Sequence, residues 1–369
     1  MSFNNCFRNK TIIVTGNTGF KGSWLSIWLH QLGAKVIGIS KDVPTTPSLF
    51  GELQLDKKIT HHFADINDLK TIKEIFKNTQ PDFVFHLAAQ PIVSVSYEDP
   101  LETLQTNIMG TANILEALRG LDKACNAVMI TSDKCYDNVE WIWGYRENDA
   151  VGGKDPYSAS KGGAELVIKT YYHSYFSKPS SKIKIAAVRA GNVIGGGDWA
   201  LNRIVPDCVR AWSQQQPVKI RNPNSTRPWQ HVLEPLGGYL RTAQVLHEGK
   251  TAITGEPFNF GPNSDQNHTV LELLQSVSHS WQFATTDDHF AVEANNTFHE
   301  AGLLKLNCDK ALFHLQWKPV LDFIQTSGFT GLWYNQYYNG KDGNMYDYTV
   351  AQINEYTEKA RQKAIAWAI

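Results

Sequence analysis

The chain has 369 residues, with 42% hydrophobic and 19% charged residues and a formal net charge of −1 at pH 7. That size allows about two structural units around a large core, and the composition excludes a disordered chain. The neutral balance leaves no basic face for nucleic acid, and no stretch approaches the ~20 apolar residues that span a membrane.

The segment Met1–Lys10 is short and polar, without the apolar run of a secretory signal. A cytoplasmic protein is therefore expected. The five cysteines, Cys6, Cys125, Cys135, Cys208 and Cys308, are scattered with no C-x-x-C pair, so reduced thiols and no metal site are expected.

Taken in chain order, short apolar runs alternate with amphipathic stretches. Strands are predicted at Thr11–Thr15, Lys35–Ile39, Ile59–Ala64, Phe83–Leu87, Ala127–Thr131 and Ile183–Val188. Helices are predicted between them at Phe20–Leu32, Leu69–Asn78, Asn107–Leu118 and Tyr157–Phe176. Alternation at this spacing points to an α/β fold with a parallel sheet covered on both faces.

Past about Gly191 the pattern changes. Loops are read at Gly195-Gly196-Gly197 and Asn222–Arg227, a helix at Leu236–Leu246 and a strand at Pro257–Phe260. Further helices are predicted at Leu271–Trp281, Leu321–Tyr338 and Ile353–Trp367, in a smaller C-terminal unit.

The run Thr15-Gly16-Asn17-Thr18-Gly19-Phe20-Lys21-Gly22 follows the first strand and opens the first helix. Gly16 permits a tight turn, Gly19 lets a pyrophosphate approach the backbone, and Gly22 lets helix and strand pack closely. Free N–H groups at the helix start favour an anion there. The acid that ordinarily holds the adenosine ribose should end the second strand, but Ser40 stands there and Asp42 comes late. Asp65, after the third strand, is a candidate for the adenine amino group or for a helix N-cap. His61 and His62 lie on that strand without metal-ligand spacing.

Tyr157 and Lys161 lie four residues apart, on one helix face. A neighbouring ammonium lowers a phenol's pKa, which suits a base that removes a hydroxyl proton. The order of glycine turn, His86-Leu87-Ala88-Ala89, Thr131-Ser132, then Tyr157 and Lys161 resembles the extended short-chain dehydrogenase/reductases across nearly the whole chain. Within them, Thr131-Ser132-Asp133-Lys134-Cys135-Tyr136 resembles the nucleotide-sugar 4,6-dehydratases, and among those the group acting on CDP-glucose. The dTDP-glucose group carries Thr-Asp-Glu where this chain has Ser132, Asp133 and Lys134.

The resemblance implies a Rossmann-type doubly wound sheet over residues 1–190, with a return segment at about 233–260. A smaller interleaved C-terminal α/β lobe at 191–232 and 261–369 would hold the nucleotide sugar. It implies NAD as cofactor, held by Gly16, Thr18, Gly19, Phe20, Gly22, Asp65, Ile66, Leu87, Ala88, Ala89, Thr106, Tyr157 and Lys161. It implies substrate contacts from Asn192 and Arg227, with Arg203 and Arg221 as further candidates and Trp199 and Trp229 as pocket walls or core. Arginine suits phosphate because its planar fork binds two oxygens at once.

The implied chemistry converts CDP-glucose to a 4-keto-6-deoxy sugar nucleotide, for deoxysugar and O-antigen lipopolysaccharide synthesis. Tyr157, aided by Lys161 and Ser132, would take the 4-hydroxyl proton. Asp133 would protonate the departing 6-hydroxyl, and Lys134 would remove the carbon-5 proton or stabilise the enolate. Competing readings are a 4-epimerase or reductase, or a silent dinucleotide sensor, against which the Tyr157–Lys161 pair argues. Helices Thr103–Leu118 and Tyr157–Phe176 resemble those that pair across a two-fold axis, so a homodimer or homotetramer is expected.

Overall fold

The computed structural model describes residues 2–220, 222–281, 290–292, 303–340 and 343–369. Seven strands form the central sheet: β1 (Thr11–Thr15), β2 (Lys35–Ser40), β3 (Thr60–Phe63), β4 (Phe83–His86), β5 (Cys125–Ile130), β6 (Ile183–Ala190) and β7 (Pro257–Phe260). Their spatial order is β7-β6-β5-β4-β1-β2-β3, and every pairing is parallel. The winding direction reverses between β1 and β4, the switch point where such sheets bind ligands outside the carboxyl ends of their strands.

Period-two alternation sends neighbouring strand residues to opposite faces. Ile12, Val14, Val36, Phe83, Phe85, Val128 and Val188 join one core, and Ile13, Ile37, Ile39, Val84, Met129 and Ile185 the other. The second core is closed by α2 (Leu69–Thr79), α3 (Gly110–Arg119) and α4 (Pro156–Tyr171), through Ile72, Phe76, Ile114, Leu118 and Ile168.

The first core is larger. Helix α1 (Phe20–Gln31) buries Trp24, Leu25, Ile27, Trp28 and Leu29, so it is apolar around most of its circumference, as suits a helix covered on both sides. Then follow α5 (Ile204–Ser213), α6 (Leu233–His247), α7 (Val270–Ser278), α8 (Asp309–Leu315), α9 (Phe323–Asn339) and α10 (Met345–Gln362). Helix α6 lies on the sheet, and β7 then joins β6 at the edge, with Phe258 opposite Val188. The chain thus leaves the sheet after β6, returns for α6 and β7, and leaves again.

Some segments differ from the sequence reading for identifiable reasons. The helix expected at Asn107–Leu118 begins as Pro100–Leu104, passes a π-turn at Gln105–Met109 and becomes α3. Helix α5 carries Pro206 in its first turn, where a missing N–H costs nothing, and was not anticipated. Helix α10 starts earlier than Ile353 and packs on both α1 and α9, where Trp333 donates to Thr349 Oγ1 at 2.9 Å and Gln352 donates to the Phe329 carbonyl at 2.8 Å. Its Tyr356 and the following Trp367 lie edge-on to Trp28 at 5.8 Å, while Trp367 stacks on Phe3 at 4.8 Å. Trp199 is likewise core, edge-on to Trp333 and Tyr337.

Candidate active site

The turn after β1 is built as its glycines suggest. Gly16 has φ +73°, and a Cβ there would lie 2.7 Å from the Ala88 nitrogen. At Gly22 a Cβ would sit 2.0 Å from the Gly16 carbonyl oxygen. A Cβ on Gly19 would meet nothing nearer than 3.4 Å, so the front of the turn is open. Gly19 is the N-cap of α1 and no side chain caps it, which leaves first-turn N–H groups available to an anion. This cradle fits a dinucleotide pyrophosphate.

Asn17 braces the turn from behind. Its amide oxygen accepts from Ser40 Oγ at 2.9 Å, and its nitrogen lies 3.1 Å from His61 Nδ1. Gly38 has no side chain because Asn17 fills that space. Thr18, almost fully buried, donates its hydroxyl to the Asp42 carbonyl at 2.7 Å, and Phe20 is half-buried at the start of α1.

Segment Leu87-Ala88-Ala89 leaves β4 half-buried beside this turn, with Ala88 N–H donating to Thr15 Oγ1 at 3.1 Å. His86 is buried between the Thr15 and Thr111 hydroxyls, and burial, with Lys161 nearby, pushes it down to about 3, so it stays neutral. After β3, Asp65 Oδ1 accepts from Asn67 N–H at 2.8 Å, whereas the N-cap of α2 is Asp68. Ile66 is buried against Gly110, and Thr106 accepts from the Asn67 amide at 3.3 Å.

The reactive groups gather where β5, β6 and α4 meet. Ser132, Asp133, Tyr157 and Lys161 are all buried. Ser132 Oγ donates to Asp133 Oδ1 at 2.9 Å and accepts from Lys134 N–H at 3.2 Å, and it lies close enough to the Tyr157 phenol to favour the phenolate. A Cβ on Gly191 would lie 1.9 Å from Asp133 Oδ2, so the carboxyl occupies the place of a side chain at 191. Lys134 is half-buried at the rim of this turn. Lys161 Nζ lies 5.7 Å from the Tyr157 ring centre. Helix α4 opens with Asp155 as N-cap and Pro156 in its first turn, which seats Tyr157 at the helix start.

Two residues that the sequence reading passed over complete the cluster. Lys21, inside the glycine turn, faces Asp133, Asp198 and Arg203; burial first, then Arg203, pushes its ammonium down to about 8. Its signal was a cation placed between the last two positions of a phosphate-binding turn. Asn107 binds Ser160 Oγ at 2.8 Å and accepts from Gln90 N–H at 2.8 Å, tying the segment after β4 to the turn of α4 between Tyr157 and Lys161. Burial, then Lys21, lowers Lys161 to about 8, while burial raises the Tyr157 phenol to about 12.

Arg203 reaches this cluster from the lobe. It pairs with buried Asp198 at 2.8 Å and lies close enough to Tyr157 to favour the phenolate. Asn192 adopts φ +48° just past β6 and its carbonyl accepts from Gln230 N–H at 3.1 Å. A cleft beside Asp133 is lined by Gly191, Pro228, Gln230, Asn263, Gln266 and Lys305. Arg227, next to Pro228, donates to the Thr226 carbonyl at 2.8 Å, and Trp229 is buried. Arg221 lies outside the described residues. Among the described residues no His, Cys, Asp and Glu cluster could hold a metal ion, and no helix is long and apolar enough to cross a membrane.

The parallel sheet, the glycine turn at its switch point and the Tyr157–Lys161 pair are those of an extended short-chain dehydrogenase/reductase. Within that class the chain belongs to the GDP-mannose 4,6 dehydratase family, whose model matches residues 13–327. It is 46% identical over 342 residues to the CDP-glucose 4,6-dehydratase of Salmonella typhimurium, covering 92% of this chain and 94% of that protein. The dTDP-glucose 4,6-dehydratase of Haemophilus influenzae is 26% identical over 343 residues, covering 88% of this chain and 97% of that protein. A solved dTDP-glucose 4,6-dehydratase from Bacillus anthracis, in complex with NAD, superposes with a TM-score of 0.71 at 19% identity, over 89% of this chain and 97% of that one. That superposition shows the common fold.

Proposed function

We propose that this chain dehydrates CDP-glucose to CDP-4-keto-6-deoxyglucose with NAD as an internally recycled cofactor. The observation that carries the reading is the placement of Ser132. Its hydroxyl lies beside the Tyr157 phenol, a base for oxidation at carbon 4, and donates to the buried Asp133 carboxyl, an acid for elimination at carbon 6. An epimerase needs only the first of these. The 46% identity to a CDP-glucose 4,6-dehydratase supports the substrate.

When bound, NAD supplies the hydride acceptor for carbon 4 and the donor for carbon 6. Gly16, Gly19 and Gly22 form the backbone cradle that fits its pyrophosphate, with Thr18, Phe20, Asp65, Ile66, Leu87, Ala88, Ala89 and Thr106 around it. Tyr157 removes the 4-hydroxyl proton, and the Lys161 ammonium and Ser132 hydroxyl stabilise its phenolate. The resulting ketone acidifies carbon 5. Lys134, at the rim of the same turn, takes that proton or stabilises the enolate, and Asp133 protonates the leaving hydroxyl. Arg203, Arg227 and Asn192 hold the diphosphate.

Residues 1–190 with the return 233–260 form the cofactor domain in this reading. The lobe that follows binds the sugar nucleotide, and α10 ties it to α1. We place the enzyme in the cytoplasm as a homo-oligomer. Tyr97, Leu101, Met109 and Leu166 leave large apolar surface exposed on the helix layer that includes α4, which suits a two-fold contact. Incubation with CDP-glucose and NAD, followed by mass spectrometry, should show a product lighter by one water. A product of unchanged mass would make this chain an epimerase, and no product would remove the proposal.

A further inference from the structure

The end of β2 is where a dinucleotide-binding sheet chooses between its two nicotinamide cofactors. A carboxylate there binds the free 2′-hydroxyl of the adenosine ribose, and a cation there accepts a 2′-phosphate. In this chain Ser40 is committed to the glycine turn, accepting from Thr18 N–H at 3.3 Å and donating to Asn17 at 2.9 Å. The next residue is Lys41, a cation at the position that suits the 2′-phosphate.

Its ammonium is taken. Lys41 Nζ lies 3.0 Å from Glu102 Oε1, on helix Pro100–Leu104, and also faces Asp42 and Asp65. Glu102 is held from two further sides. Its Oε1 accepts from Thr106 Oγ1 at 3.0 Å, and its N–H is capped by Asp99 at 3.0 Å. Three carboxylates therefore surround one ammonium at the adenosine end of the cleft. The Lys41 and Glu102 side chains are 49% and 41% exposed, so neither supports the core.

We propose that Glu102, rather than a residue of β2, excludes the 2′-phosphorylated dinucleotide. It occupies the cation that follows β2, which would bind the phosphate, and adds negative charge beside it. A phosphate monoester carries about −1.5 to −2 charges at neutral pH, so it meets net repulsion where a hydroxyl meets acceptors. This inference rests on NAD lying with its pyrophosphate in the glycine turn after β1, as proposed above.

Fluorescence titrations of NADH and NADPH into the full chain test it, using wild type, Glu102→Gln and the double variant Glu102→Gln/Lys41→Met. Glu102→Gln should tighten NADPH about tenfold, the scale of one nearby charge, and leave NADH nearly unchanged. The second substitution should remove the gain. An unchanged NADPH-to-NADH ratio in Glu102→Gln overturns the proposal, as does a gain that survives the loss of Lys41. A wild-type chain that binds neither dinucleotide would overturn the cofactor reading itself, which separates that failure from this one.

Discussion

Two layers at the carboxyl end of the sheet treat positive charge in opposite ways. In the lower layer Arg189, on β6, is buried and fully paired. It meets Glu165 of α4 at 2.8 and 2.9 Å and donates to the Tyr136 hydroxyl at 2.7 Å, which in turn donates to Asn259 of β7 at 2.8 Å. Thr131 at the end of β5 also donates to Glu165. In the upper layer Arg203 pairs with Asp198, while burial first, then Arg203 beside Lys21 and Lys21 beside Lys161, lowers both lysines to about 8. A closed network holds four elements together, while two buried lysines carry charge that an anionic ligand would favour.

Breaking the lower layer should have the largest effect. Arg189→Met strands the Glu165 carboxylate without its partner and should cost about 3–5 kcal/mol in unfolding free energy, read by denaturant titration. Lys21→Met should leave stability equal or higher, because it removes a crowded charge. Equal losses in the two variants would erase the distinction between the layers.

Within the upper layer the two halves of the reaction should separate. Tyr157→Phe should lower kcat by about 10²–10⁴ and block the chemistry from its first step. Lys134→Met should instead let the absorbance of reduced nicotinamide build up, while exchange of the carbon-5 proton with deuterated water slows. Wild-type turnover in Lys134→Met would exclude that side chain from the elimination.

The pH profile sharpens the comparison further. Burial lowers Lys161 to about 8, and an ammonium 5.7 Å from the Tyr157 ring centre would favour the phenolate. Lys161→Met should therefore move the rising limb of kcat/KM to higher pH, by about one unit. A limb that stays in place would show that the ammonium does not tune the phenol.

A further effect lies away from both layers. Glu234 is buried, accepts from Val320 and Leu321 N–H and the Tyr356 hydroxyl, and is pushed from 4.5 up to about 7 by burial. A carboxyl raised in the folded state stabilises below its unfolded pKa and loses that contribution as pH rises through the folded one. Wild type should lose thermal stability relative to Glu234→Gln between about pH 4.5 and 7. Parallel melting curves across that range would show that the carboxyl does not titrate there.

Much of this was legible before the structure. Most strands through β6 and the helices α1 to α4 were visible because they carry an apolar run or stripe, whereas β3, with His61 and His62 at its centre, was placed by the alternation around it. The glycine turn was visible because three glycines at that spacing answer three separate steric demands. Lys21 and Asn107 were not, since a lysine in a turn and an asparagine at a helix start read as solvated surface. Helix α5 escaped because Pro206 and Asp207 interrupt its apolar face in sequence.

The sequence by itself determined the parallel sheet, the phosphate cradle and the pairing of Tyr157 with Lys161, because these rest on local periodicity and on residues within one turn of each other. Only the tertiary structure decided that Ser40 serves the turn, that Glu102 captures Lys41, that Asp133 fills the space above Gly191, and that α10 covers α1. Each of these joins residues distant in sequence, and such contacts follow from how the elements pack rather than from how any one of them forms.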